Sequence, residues 1–250
     1  MISLVIPIYN EANHLEKFLQ HIDTLELPLE KELIFIDDCS SDASYQILSS
    51  FSFKSKNLII KQEINCGKGA ALRKGFAEAK GEIVCVQDAD FEYKPEDIAF
   101  LVKPLINDEA DIVYGSRFSK NNRQVHRTFH YLINRFLTLL SNLSSGLFLS
   151  DMETCYKVFK ADIIKNMHLE SNAFGFEPEV TAKLGKLKIR VMEFPISYFP
   201  RNYIEGKKIS WKDGVAAVWH ILYFNFLVNF EKSFKSSLPK DYIATDSNLL

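Results

Sequence analysis

Several things are scarce in this chain, and each scarcity removes a class of protein. Its 250 residues carry only four cysteines, Cys39, Cys66, Cys85 and Cys155. They form no CxxC, and none stands at zinc-ligand spacing from a histidine. Neither a disulfide framework nor a structural zinc site is expected, and reduced thiols of a cytoplasmic protein are. Long hydrophobic runs are missing too. The longest, residues 215–228, is interrupted by His220 and Asn225, and at about 1.5 Å per residue it falls short of a ~30 Å hydrocarbon core. The N-terminus, MISLVIPIYNE, has no basic region and too short an apolar run for a signal peptide, and reads as a strand and turn. A net charge of −2 leaves no whole-protein field for nucleic acid, so no nucleic-acid partner is expected. Repeats and low-complexity segments are absent. An apolar fraction of 47% is that of a globular chain, and 250 residues suit one large α/β domain or a domain plus an appendage.

One local absence is informative. From Ile112 to Ser150 there is no acid, while Arg117, Lys120, Arg123, Arg127, Arg135 and two histidines fall in that span. Such a stretch signals an anionic partner.

What is present is an alternation. Residues 3–8, 32–36, 57–61, 82–86 and 110–114 read as strands. Between them lie a stripe of Leu15, Phe18, Leu19 and Ile22, a Ser-capped segment after Cys39, a helix over 69–80, and one opened by Pro95 and running to Leu105. This predicts a mostly parallel sheet with helices on both faces. Ligands of such sheets sit at the carboxyl ends of the strands. Further on, Leu132, Phe136, Leu139, Leu140 and Leu143 make one helix stripe, a helix follows Pro178, residues 189–199 alternate like an edge strand, and an apolar helix is expected from about Trp211 to Phe230. The tail 231–250 is polar and expected to fray.

Chemistry gathers at the strand ends. Asp88 and Asp90 bracket Ala89, with Glu92 two residues on. In extended chain these carboxylates share one side and repel unless a cation lies between them. Mg²⁺ or Mn²⁺ is the expected cation, since hard divalent ions take carboxylate oxygens and keep phosphate as a further ligand. Glu92 is a third ligand or an outer acceptor. The alternative is a solvated acidic loop in which Glu96 and Asp97 favour the start of the Pro95 helix. Asp37 and Asp38 end the second strand, where an acid accepts from a ribose hydroxyl or a base N–H, unless they serve, like Asp42, a helix start. NCGKGAALRKG puts glycines and Lys68 at a helix N-terminus, which suits close approach of an anion or a plain turn with an exposed lysine. It is no Walker loop.

PIYNE, IDDCSSD, NCGKGAAL, QDAD, GSRF and DMETCYKVF stand in the order and spacing of the inverting nucleotide-sugar glycosyltransferases of the GT-A fold. Over residues 1–230 the chain resembles the dolichol-phosphate mannose synthase-like, polyprenyl-phosphate glycosyltransferase group. The resemblance implies a Rossmann-like GT-A domain with C-terminal interfacial amphipathic helices. It implies transfer of one sugar from GDP-mannose or a UDP-hexose to a polyprenyl phosphate, with inversion and a bound metal. Residue by residue, Pro7, Tyr9 and Glu11 would contact base and ribose, and Ile36 and Asp38 would complete the nucleoside pocket. Asp88, Ala89 and Asp90 would hold metal and diphosphate, with Glu92 where relatives often have Gln. Arg117 in GSRF, and Arg201 with Lys207 or Lys208 in PRNYIEGKK, would contact phosphates, as guanidinium forks suit such groups. Asp151 would be catalytic or orienting; a phosphate acceptor, with a second pKa of about 6, is already ionised and needs positioning more than a base. Glu177 and Glu179 would be pocket acids, or acids of a helix start.

The same resemblance divides the domain into a nucleotide-sugar half, 1–116, and an acceptor and membrane-facing half, 117–230. A basic stretch followed by a Leu/Phe stripe suits a membrane surface, unless both apolar helices merely cover the sheet. The expected location is the cytoplasmic membrane face, held peripherally or by a membrane-anchoring partner protein. A haloacid-dehalogenase phosphatase would carry its DxD on the first strand, and a nucleotidyltransferase would carry a basic Gly-rich signature there. A family 2 transferase acting on a polysaccharide or other non-lipid acceptor is the serious alternative.

Overall fold

The computed structural model describes residues 1–118, 128–173, 175–200 and 211–244. Lys120, Arg123, Arg127, Arg201, Lys207 and Lys208, all expected to meet anions, lie outside the described residues.

The chain runs β1 (Ile2–Ile8), α1 (Ala12–Thr24), β2 (Lys31–Asp37), α2 (Ser44–Ser50), β3 (Lys56–Lys61), α3 (Lys68–Glu78) and β4 (Ile83–Val86). After a 3₁₀ turn come α4 (Ile98–Leu101), α5 (Lys103–Ile106) and β5 (Ile112–Ser116). The second half holds α6 (Thr128–Ser145), β6 (Lys157–Lys160), α7 (Ala161–Ile164), α8 (Phe176–Leu184), β7 (Val191–Pro195), α9 (Trp211–Leu222) and α10 (Phe230–Ser233). One seven-stranded sheet has the order β3-β2-β1-β4-β6-β5-β7. Only β6 runs antiparallel to its neighbours, β4 and β5. Leu4, Val5 and Ile6 are all fully buried, so β1 is covered on both faces, as a central parallel strand must be. Leu15, Phe18, Leu19 and Ile22 seat α1 on the sheet.

The expected alternation is present, with β7 at the predicted edge. Two helix readings are corrected and one gap is filled. The helix expected from Pro95 to Leu105 is broken into a turn, α4 and α5. Pro104 has no N–H to bond back to the preceding turn, which stops one continuous helix. DMETCYKVF, unassigned from sequence, delivers β6. The apolar helix from Trp211 ends as α-helix at Leu222 and passes into a π turn at Tyr223–Leu227.

The tail does not fray over its described part. Phe234 and Leu238 are each 4% exposed and belong to the main core. The Ser233 carbonyl accepts from His168 N, and the Tyr242 carbonyl from Lys188 N. Two apolar residues inside a polar segment are enough to bind it down.

Candidate active site

The carboxyl ends of β1, β2 and β4 lie side by side, Ile8 opposite Asp37 and Val5 opposite Val86. After each strand a non-glycine residue turns the chain through the left-handed region: Asn10 (φ 56°), Cys39 (57°) and Phe91 (57°). Such residues are strained unless their surroundings hold them, and they concentrate at functional edges. Phe91 is held by its ring against Phe18 at 5.5 Å and His21 at 6.0 Å.

The first two loops stitch each other. Asn10 Oδ1 accepts from Ser41 N at 2.8 Å, Glu11 N donates to Ser44 Oγ at 2.8 Å, and Ala12 N donates to Asp42 Oδ2 at 3.1 Å. The N-terminal amides of α1 are thus capped from the neighbouring loop. Burial works against the Asp42 charge, yet the hydrogen bonds from Ser44 and Ala12 hold its carboxyl below the usual range. Tyr9 is exposed at the rim, while Pro7 and Glu11 are partly buried.

Two residues expected in the nucleoside pocket are committed elsewhere. Ile36 is fully buried in the core, where its Cδ1 lies against Gly75. Asp38 is 3% exposed and accepts from Gln62 Nε2 at 2.6 Å, Cys66 N at 2.8 Å and Gly67 N at 2.7 Å. It clasps the loop that leads into α3. Its neighbour Asp37 keeps one carboxylate oxygen, Oδ1, buried without a partner.

The glycines of that loop serve chain packing. A Cβ on Gly67 would stand 2.4 Å from the Asn172 carbonyl oxygen, and one on Gly69 would stand 2.3 Å from that of Ser171. Ala70 N donates to the Asn172 carbonyl at 3.1 Å. The close approach expected of a phosphate is made by residues 171–173, which shut the start of α3.

Lys68 points into the acids instead. Its Nζ lies 3.0 Å from Asp88 Oδ1, 3.1 Å from Asp88 Oδ2 and 3.4 Å from Glu177 Oε1. This ammonium is the cation that relieves Asp88 here. Burial disfavours its charge, but Asp88, Cys155 and Glu177 hold its pKa well above that of an ordinary lysine. Asp90 Oδ1 accepts from Glu92 N at 3.0 Å, closing the turn around the buried Ala89. Glu92 Oε2 accepts from Tyr198 OH at 2.9 Å and its carbonyl from Phe199 N at 2.8 Å, so it ties the acidic loop to the segment after β7. Asp97, expected to favour a helix start, instead accepts from Ser197 N at 2.6 Å.

Across the site Arg117, at the end of β5, forks onto Asp151. Nε reaches Oδ2 at 2.7 Å and Nη2 reaches Oδ1 at 2.8 Å, while the Arg117 amide adds a bond at 2.9 Å. The rings of Tyr198 and Phe118 flank the guanidinium at 5.3 and 5.4 Å. Asp151 is fully buried, so the orienting alternative fits its geometry and a proton acceptor facing a substrate does not. Glu193 of β7 receives Ser150 N at 2.9 Å and Asp151 N at 3.1 Å, and the buried Lys157 donates to the Met152 carbonyl at 3.0 Å and to that of Thr154. Sequence reasoning missed both positioning residues. Glu193 looks like any edge-strand acid, and nothing in DMETCYK shows that its lysine turns inward. Glu153 was also passed over: its Oε1 is buried without a partner, and burial, reinforced by Glu177 and Asp151, pushes its carboxyl up to about 8.

The pocket acids divide. Glu177 faces Lys68, whereas Glu179 is fully buried, pairs with Lys183 at 2.6 Å and accepts from the amides of Glu170 and Ser171. Glu179 is a structural clasp.

Helix α6 links this site to an apolar surface. Its Arg135 Nη1 donates to the Ser150 carbonyl at 3.0 Å, and its Thr138 hydroxyl accepts from Met152 N at 3.1 Å, gripping both neighbours of Asp151. Its inner side packs Leu137 with Met152 and with Ala217 and Ile221 of α9. Its outer side leaves Leu132, Phe136, Leu139 and Leu143 exposed, and Phe148 beyond it, Trp219 of α9 and Phe226 of the π turn are exposed as well. No helix among the described residues is long and apolar enough to cross a membrane.

A divalent ion fits this donor set on one condition. The Asp88 oxygens already converge on a single cation, and all the ligands on offer are hard oxygens. No cluster of three or more metal-binding side chains stands ready among the described residues. An ion here therefore has to bring phosphate oxygens as its remaining ligands.

The strand-end acid pair and the buried Arg–Asp fork stand on a mostly parallel sheet with the architecture of the GT-A fold. The fold recurs in glucosyl-3-phosphoglycerate synthase from Mycobacterium tuberculosis, solved with Mn²⁺, UDP and glucosyl-3-phosphoglycerate, at a TM-score of 0.68 and 17% identity, over 92% of this chain and 81% of that one. Residues 3–167 match the family model described as glycosyl transferase family 2, and the chain belongs to that family. It is a glycosyltransferase. It is 29% identical over 84% of its length to a dolichyl-phosphate beta-glucosyltransferase of Trichomonas vaginalis. It is 27% identical over 82% to a dolichol-phosphate mannosyltransferase of Pyrococcus furiosus, and 31% identical over 82% to an undecaprenyl-phosphate 4-deoxy-4-formamido-L-arabinose transferase of Photorhabdus laumondii. These relatives accord with the polyprenyl-phosphate glycosyltransferase group. The chain spans 68%, 58% and 62% of their lengths.

Proposed function

We propose that this enzyme moves one sugar, with inversion, from a GDP- or UDP-linked donor to a polyprenyl phosphate at the cytoplasmic surface of a membrane. The observation that carries the reading is that α6 both grips the loop bearing Asp151 and turns an exposed apolar stripe outward. An acceptor with an ionised head and a lipid tail needs such a neighbourhood.

In this reading residues 1–116 take the donor and 117–230 take the acceptor and the membrane, within one domain. Pro7, Tyr9 and Glu11 line the nucleoside at the rim of β1. Asp88 and Asp90 hold Mg²⁺ or Mn²⁺ together with the diphosphate; the ion supplies Lewis acidity to the leaving group. Arg117, oriented by Asp151, faces phosphate, with Arg201 and Lys208 joining it from the segment outside the described residues. An acceptor phosphate oxygen forms the new bond to the anomeric carbon as the bond to the donor diphosphate breaks, and the nucleoside diphosphate leaves with the electron pair. A phosphate nucleophile is already ionised, so Asp151 and Arg117 have to orient and neutralise rather than remove a proton.

The test is to incubate the protein, Mg²⁺ or Mn²⁺, and short polyprenyl phosphates with radiolabelled GDP-mannose, UDP-glucose or UDP-GlcNAc. A labelled lipid-phase product that disappears in excess EDTA is expected. Label passing instead to a soluble saccharide acceptor would favour the polysaccharide alternative.

A further inference from the structure

We propose that Lys68 is a resident counter-ion of Asp88 that makes divalent-metal binding at the acid pair conditional on a nucleoside diphosphate. The inference deepens the donor site just described and rests on that reading.

Lys68 touches both oxygens of Asp88, at 3.0 and 3.1 Å, so the carboxylate a metal needs is already engaged by a cation. The lysine side chain is 20% exposed and that of Glu177 is 7% exposed. An ammonium so removed from water persists because both carboxylates compensate it. A bare divalent ion approaching Asp88 therefore meets a fixed positive charge at contact distance, in a place that water screens poorly. Asp151 is spent on Arg117, and Asp90, the other acid of the pair, offsets the repulsion only in part.

A nucleoside diphosphate changes the balance. Its oxygens supply the negative charge that lets an ammonium and a divalent ion share one site, and they give the ammonium a second place to go. The residue is built for such a shift. Its backbone is clamped, because Gly67 and Gly69 lie against residues 171–173 and Ala70 N is bonded to the Asn172 carbonyl. Its four-carbon stem is flexible, and Glu177 at 3.4 Å retains the ammonium when Asp88 turns to the metal. Coupling between two ligands is reciprocal, so Mn²⁺ must tighten the nucleotide by the factor with which the nucleotide tightens Mn²⁺.

Titration of the full chain with Mn²⁺, followed by electron paramagnetic resonance of the free ion and by calorimetry, with and without UDP or GDP, tests this. Wild type is expected to bind Mn²⁺ weakly alone, and on the order of tenfold or more tighter with the nucleotide. Lys68→Met should bind Mn²⁺ without nucleotide on the order of tenfold tighter than wild type, and the nucleotide's effect should shrink. Lys68→Gln serves the same purpose if the Met variant does not fold. Glu177→Gln, which leaves the ammonium to Asp88 alone, should shift nucleotide-free Mn²⁺ binding the opposite way. Mn²⁺ binding that ignores the nucleotide in wild type, or that ignores the loss of Lys68, overturns the proposal while leaving the donor reading intact. A wild-type protein that takes up neither UDP nor GDP with Mn²⁺ overturns both.

Discussion

Arg117 and Asp151, thirty-four residues apart, meet in a fork of 2.7 and 2.8 Å, with the Arg117 amide closing a third bond to the same carboxylate. The aspartate is fully buried and the arginine side chain is 11% exposed. A guanidinium held this way is fixed in orientation, with the rings of Tyr198 and Phe118 on either flank. Asp151→Ala removes one partner of a buried pair and is expected to cost about 3–5 kcal/mol in urea unfolding. Asp151→Asn, of the same shape, should keep nucleotide affinity and lower kcat by roughly two powers of ten, through an Arg117 no longer aimed. Wild-type turnover in the Asn variant would remove Asp151 from the working site.

Glu179 and Lys183 give the contrasting case. Their 2.6 Å pair is fully buried beneath the loop that closes on α3. Glu179→Ala should destabilise the fold by about 3–5 kcal/mol, since it strands a buried ammonium. The folded fraction should keep its affinity for UDP or GDP. Joint replacement, Glu179→Leu with Lys183→Met, should recover only the part of the loss due to the stranded ammonium, because the Glu170 and Ser171 amides still lack their acceptor. A selective loss of nucleotide affinity in the single variant would return Glu179 to the donor pocket.

Glu153 sets a pH dependence. Burial first, then Glu177 and Asp151, raise its carboxyl from 4.5 to about 8, against the pull of Lys157 and Arg117. The folded state then binds a proton that the unfolded state has released, so this residue's contribution to stability falls as pH rises from about 4.5 to about 8. Thermal unfolding of Glu153→Gln should lack that decline and should gain most over wild type above pH 8. Parallel pH profiles for the two proteins would show that the group is charged throughout.

The outer stripe of α6 predicts a separation of stability from lipid use. Phe136, Leu139 and Phe148 are 58%, 57% and 99% exposed. Their replacement by Ser should change stability by about 0.5 kcal/mol or less each, as for other surface sites. Sedimentation with liposomes and turnover of a vesicle-borne acceptor should both drop, while turnover of a detergent-dispersed short-chain acceptor persists. Equal losses in detergent and in vesicles would place these residues in the acceptor pocket instead.

The parts of this protein legible in its sequence are those set by local pattern. Leu15, Phe18, Leu19 and Ile22 repeat at helical spacing and lie on the core side of α1. The acids after β1, β2 and β4 gather at one edge because parallel strands end on the same side. What stayed hidden depends on partners distant in sequence. Asp38 looked like a ribose acceptor until Gln62, Cys66 and Gly67 took its oxygens. The glycines around Lys68 looked like a phosphate cradle until residues 171–173 filled it. Glu92 looked like a metal ligand, and its carboxylate bonds Tyr198. A carboxylate, an ammonium or a glycine states what it is able to bind but not which candidate reaches it, and reach is a matter of three-dimensional distance. The sequence by itself therefore determined the parallel strands, the edge at which their acids gather and the family, but not the antiparallel β6 between β4 and β5. Tertiary structure alone decided that Lys68 holds Asp88, that Asp151 aims Arg117, and that α6 has two apolar sides, one spent on α9 and one facing outward.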